Sequence, residues 1–163
     1  MYEKFGQFID GKWCQSSNKS TYEVINPANE EILGHASKAT AEDVDRALKS
    51  AEKGLEVWKK TPPWQRSYTI RSIADKIREK QDVLAKWMTL EVGKPIAEAK
   101  GEVNGAADIF EWNAEETKRI YGQTVESRFE DTRVHVYYQP VGGVAALSTW
   151  NFPAVLSARK IST

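Results

Sequence analysis

Gln139-Pro140-Val141-Gly142-Gly143-Val144-Ala145-Ala146-Leu147-Ser148-Thr149-Trp150-Asn151-Phe152-Pro153 runs between two prolines through seven uncharged residues and a polar corner. Residues 141–147 are apolar without alternation, the pattern of a strand buried on both faces in a parallel sheet. After Pro153, residues 154–163 return to helical composition. The order strand, loop, helix places Asn151 just past the carboxyl end of a parallel strand, where ligands bind in open α/β sheets. A parallel strand needs parallel neighbours reached by crossover helices. Here such a strand first occurs at Val141, and the sequence stops within the helix after it. The expectation is a truncated chain, or a sheet completed by another chain.

The corner suggests chemistry. Asn151 carries a neutral amide that can donate to a developing oxyanion whatever the pH. The start of the next helix offers N–H groups and the positive end of its dipole to an anionic group. On local grounds the same residues also read as a plain helix start, because Asn is a favoured N-cap and Pro is favoured in the first turn. No G-x-G-x-x-G fingerprint follows the strand; Gly142 and Gly143 lie within it.

Upstream of Pro140 the grammar differs. Thr124-Val125 and residues 133–139 alternate with period two around a charged turn at 127–131, which predicts a two-stranded antiparallel arm. Before it, Ala99, Val103, Ala106, Ala107, Phe110, Ala114 and Tyr121 mark a long helix from Ile96 that ends at Gly122. A shorter helix from Gln81 stops at Gly93, with Pro95 just beyond. Another carries Ile70, Ile73, Ala74 and Ile77. Thr40 and Asp43 form a capping-box pair that opens a helix whose apolar face is Val44, Ala47, Leu48, Ala51, Leu55 and Trp58. At the N-terminal end, Asp10-Gly11 predicts a type I′ hairpin within residues 8–13. Residues 22–25 and 31–36 are short strands flanking an Asn26-Pro27-Ala28-Asn29 turn.

Composition narrows the function. A 163-residue chain suffices for one ordinary domain, which buries roughly 70% of the surface its unfolded form exposes. Lys+Arg and Asp+Glu both total 23 without clustering, so no basic footprint for nucleic acid or anionic membrane is expected. No run is long enough for a signal peptide or a membrane span. Cys14 is the single cysteine, and His35 and His135 lie far apart. No disulfide, cysteine-cluster zinc site or other metal is expected, and a reducing cytoplasmic setting fits.

Residues 139–153 resemble the segment that opens the nucleotide-binding domain of the aldehyde dehydrogenase superfamily. Ile25-Asn26-Pro27-Ala28 followed by Glu31 is similar to the family's N-terminal motif. Thr89-Leu90-Glu91-Val92-Gly93-Lys94-Pro95, with Glu98-Ala99 and Glu102-Val103 after it, is similar to the end of its third helix and the start of its fourth. The Trp-Asn-Phe-Pro core is the most specific of these, and the resemblance extends through nearly the whole chain.

The resemblance implies an α/β fold in three parts. Residues 1–122 form the N-terminal strands and helices of the nucleotide-binding domain. Residues 123–139 form an antiparallel arm through which subunits associate into a dimer or tetramer, and residues 140–163 begin a Rossmann-like parallel sheet. It implies NAD- or NADP-dependent oxidation of a small-molecule aldehyde to a carboxylic acid. A cysteine thiolate attacks the aldehyde, hydride leaves to the cofactor, and a glutamate activates water to hydrolyse the thioester. The position matching Asn151 donates to the oxyanion. Positions matching Leu147, Ser148, Thr149 and Trp150 pass close to the cofactor, and Phe152 lines the aldehyde tunnel.

Two departures stand out. The family more often has Pro where this chain has Thr149. The family's nucleophilic cysteine, general-base glutamate and cofactor lysine lie beyond Thr163, and Cys14, in an N-terminal turn, is no substitute. The 163 residues are therefore expected to be inactive alone. Arg159 matches a position that, in members acting on succinate semialdehyde, contacts the distal carboxylate; a solvated helical arginine is the plainer reading. A non-catalytic fragment or subunit-binding module is the alternative function.

Overall fold

The structure, a computed structural model, describes residues 5–163. The N-terminal residues 1–4, read above for a leader, lie outside the described residues. Among the described residues, three small antiparallel sheets of two strands each accompany five α-helices. Strands β1 (Gln7–Ile9) and β2 (Lys12–Cys14) form the first hairpin. Asp10 and Gly11 take φ of 55° and 74° at its tip, the two left-handed residues a type I′ turn requires. Strands β3 (Thr21–Ile25) and β4 (Ile32–Ser37) flank the Asn26-Pro27 turn, with a register shift at Val24 and Ile25.

Helix α1 (Ala41–Trp58) opens as its sequence dictates. The Thr40 hydroxyl accepts from the Asp43 N–H at 3.2 Å, and the Asp43 carboxylate accepts from the Thr40 N–H at 3.0 Å. That backbone bond, with others from Ser17 and Gln7, holds the Asp43 carboxyl well below the usual carboxylate range. The apolar face expected to be buried is not. Val44 and Leu48 are exposed, because α1 meets little beyond the first hairpin.

Helices α2 (Pro63–Glu79), α3 (Gln81–Val92), α4 (Ile96–Glu116) and α5 (Pro153–Ile161) make the body. Alanines set its geometry. Ala74, Ala85, Ala99, Ala107 and Ala114 are fully buried, so the backbones approach closely around α4. Ile70, Phe110 and Ala158 join α2, α4 and α5, while Met88 and Val103 join α3 to α4. Helix α3 ends at Gly93, whose φ of 75° turns the chain out of the helix at Lys94 and Pro95. After α4 a short 3-10 turn, Thr117–Arg119, precedes Gly122.

The arm forms as β5 (Gln123–Glu126) and β6 (Arg133–Val136), shorter than the alternation suggested, with every residue exposed. The expected strand over residues 141–147 does not form. These residues have no regular structure, and Val141 and Leu147 are 93% and 84% exposed. A strand buried on both faces exists only between parallel partners, and none stands among the described residues.

Candidate active site

The loop carrying Asn151 enters α5 across the corner between α3 and α4. Phe152, not Asn151, occupies the N-cap position of α5, and no side chain of the loop caps the helix. The cap comes from elsewhere. Glu102, on the buried face of α4, accepts through Oε1 from the Ala154 N–H at 3.0 Å and the Val155 N–H at 3.3 Å. A carboxylate at this helix end satisfies its first N–H groups and the positive end of its dipole. The helix start expected to receive an anionic ligand is thus occupied by the chain's own carboxylate.

The second oxygen of Glu102 pairs with Lys94. Lys94 Nζ also donates to the Asn151 carbonyl at 3.1 Å and stands 3.7 Å from the centre of the Phe152 ring. Composition could have pointed to Glu102. It falls on the helical stripe of Ala99, Val103 and Ala106, where a carboxylate needs partners. Its backbone partners at the start of α5, 52 and 53 positions away, carry no local signal.

The Asn151 side chain faces outward. Its Oδ1 accepts from the Thr149 hydroxyl at 2.8 Å, and among the described residues no acceptor meets its Nδ2. A cleft of about 510 Å³ beside it brings together Lys94, Glu98, Glu102, Phe152 and Arg159. Arg159 is exposed and forms no ion pair with the described residues. Trp150, 78% exposed, instead lines a larger cleft of about 650 Å³ with Trp87, Met88, Phe110 and Ala154. Leu147 is tied to α5 by Lys160, which donates to its carbonyl. Ser148 is exposed beside it.

Leu147 and Trp150 are exposed apolar side chains on either side of Ser148 and Thr149. Cys14 sits far along the chain in β2, where its thiol donates to the Gln7 carbonyl at 3.4 Å and its sulfur accepts from the Arg46 guanidinium at 3.8 Å. No cluster of metal-binding side chains, and no helix long and apolar enough to cross a membrane, occurs among the described residues.

Comparison with known proteins places the chain among its relatives. The chain is 43% identical over 153 residues to glutarate-semialdehyde dehydrogenase of Pseudomonas aeruginosa, covering 94% of this chain and 32% of that protein. It is 43% identical over 152 residues to succinate-semialdehyde dehydrogenase [NADP(+)] of Escherichia coli, covering 93% and 32% respectively. A crystal structure of betaine aldehyde dehydrogenase from Staphylococcus aureus in complex with NAD+ superimposes with a TM-score of 0.91 at 33% identity, over 96% of this chain and 32% of that one. The chain therefore spans about a third of the length of the relatives it matches. The sequence pattern of the aldehyde dehydrogenase family matches residues 13–163, and to that family the chain belongs.

Proposed function

We propose that the chain supplies part of the aldehyde-facing wall of an NAD(P)-dependent dehydrogenase that oxidises an aldehyde to a carboxylic acid. In it the Asn151 amide donates to the aldehyde oxygen as that oxygen becomes negative. The carrying observation is the Asn151 side chain: its oxygen is engaged by the Thr149 hydroxyl, and its nitrogen is open toward solvent. NAD or NADP, when bound, supplies the hydride acceptor. Leu147, Ser148, Thr149 and Trp150 border the ribose and nicotinamide, and Phe152 lines the aldehyde passage. Arg159, without a carboxylate partner in its cleft, suits the distal carboxylate of a semialdehyde acid such as succinate semialdehyde, where its planar fork binds two oxygens.

The thiolate and the general base come from outside these 163 residues, so the chain alone turns over no aldehyde. Residues 1–122 and 140–163 serve the nucleotide-binding domain, and residues 123–139 join subunits in a homo-oligomer, since β5 and β6 are exposed along their whole length. A free Cys14 suits a reducing compartment such as the cytoplasm. The same exposed arm favours a second reading, a non-catalytic module that docks on other subunits.

The test is a hybrid in which this chain replaces the matching third of the E. coli succinate-semialdehyde dehydrogenase. NADP-dependent oxidation of succinate semialdehyde is expected, with Asn151→Ala lowering kcat by about 10²–10³. A folded hybrid whose kcat is unchanged by Asn151→Ala refutes the role of the amide. A folded but inactive hybrid favours the docking module.

A further inference from the structure

Lys94 and Glu102 have no part in the reading above, yet they are the most deeply buried ion pair in the body, with side chains 10% and 2% exposed. Stability does not account for them. Burying two charges incurs a desolvation cost that largely offsets their attraction, and well-packed apolar residues often serve as well. Their contacts suggest a mechanical task. One Glu102 oxygen holds the Ala154 and Val155 amides, and the other holds Lys94. Lys94 in turn grips the Asn151 carbonyl and covers the Phe152 ring. Both partners therefore converge on three consecutive steps of the chain: the Asn151 backbone, the Phe152 side chain and the first turn of α5. On the other side of Asn151, residues 140–149 have no regular structure and are tied to α5 through Lys160 at Leu147, so at Asn151 and Phe152 themselves this pair supplies the tie to the body.

We infer that Lys94 and Glu102 are positioning residues for the Asn151 amide, an inference that rests on the reading of Asn151 as the oxyanion donor. The carboxylate sets where α5 begins, and the ammonium sets where the Asn151 peptide lies against it. A donor displaced by about 1 Å can lose on the order of 10² in rate. A rigid, charge-assisted tie from the α3–α4 corner serves that requirement better than a loop held by packing alone.

Two measurements test this separately from the catalytic reading. The first uses the 163-residue chain, with amide hydrogen exchange and side-chain amide resonances followed by NMR. Glu102→Gln is expected to speed exchange at Ala154 and Val155 by about tenfold or more. Lys94→Met is expected to shift the Asn151 side-chain resonances, and Lys94→Arg to return them part of the way. If Lys94→Met fails to fold, Lys94→Gln is read in its place. Unchanged exchange and unchanged Asn151 resonances in folded variants overturn the inference.

The second uses the hybrid enzyme. Lys94→Met is expected to lower kcat about tenfold while the KM for NADP stays within about twofold, with partial rescue by Lys94→Arg. A lowered melting temperature with kcat intact overturns the inference. Loss of the Asn151→Ala effect in the unmodified hybrid instead refutes the catalytic reading, and the exchange rates then decide whether the pair holds the loop.

Discussion

Gly93 is the hinge between α3 and the lysine that reaches the Asn151 loop, and its replacement gives a sharp test of the packing. Its φ of +75° is left-handed, which costs an L-residue roughly 1–2 kcal/mol. A Cβ added there would stand 3.0 Å from Pro27 Cγ and 3.9 Å from Pro27 Cβ. The proline ring has little room to yield. Its turn is fastened by the Asn26 N–H to the Glu31 carbonyl at 2.9 Å, the Glu30 N–H to the Asn26 carbonyl at 2.8 Å, and the Ala28 N–H to Asn26 Oδ1 at 3.0 Å. Overpacking of this kind adds about 1–2 kcal/mol, so Gly93→Ala should destabilise the chain by about 2–4 kcal/mol in all. Pro27→Ala removes Cγ and leaves only the ordinary 3.9 Å contact. In that background Gly93→Ala should cost the backbone strain alone, giving a coupling of about 1–2 kcal/mol. Urea unfolding of the four genotypes, followed by far-UV circular dichroism, measures it. A coupling below about 0.3 kcal/mol would refute the contact between the N-terminal turn and the end of α3.

Acid sensitivity should arise partly between α2 and α4. Glu111 is held below the usual carboxylate range by Arg78 and then Arg71, and Glu115 by Lys118 and Arg71. Because the folded-state values are lowered, the stability they bring is present above about pH 4.3 and fades as pH falls below it. Arg78→Met should therefore narrow the gap between urea midpoints at neutral pH and at about pH 3; an unchanged gap argues against this origin. Val103, 1% exposed between α3 and α4, should cost about 2 kcal/mol on truncation to Ala, and a urea midpoint within error of the parent contradicts its burial. Thr40→Ala should remove about 1 kcal/mol by opening the α1 cap, seen as loss of helical signal at lower urea. In the hybrid enzyme, Arg159→Gln should raise KM for succinate semialdehyde and spare an uncharged aldehyde; equal effects on both would separate Arg159 from the substrate carboxylate.

What could be read from the residues in order was whatever is settled within a few positions. Thr40 with Asp43, Asp10 with Gly11, and Gly93 before Pro95 each complete their own bonding or backbone requirement locally, and each stands where the sequence indicates. The stripe of α4 from Ala99 to Ala114 was legible for the same reason. Two features were not. The apolar run at 141–147 has the composition of an inner strand, but pairing is a property of neighbours, and the described residues provide none. The start of α5 looked like a job for Asn151 or a bound anion, whereas Glu102, half a hundred positions upstream, fills it. The resemblance to the family carried Lys94 and Glu102 as motif letters without their purpose, and only the folded arrangement relates them to the loop.

The uncovered run at 141–147 also governs how the chain behaves in a test tube or on a ribosome. Seven consecutive residues without charge include three valines or leucines with exposed side chains, while Gly142, Gly143, Ala145 and Ala146 lower the β-propensity of the run. The apolar area that Val141, Val144 and Leu147 leave in water is therefore an adhesive patch rather than a fibril-forming strand.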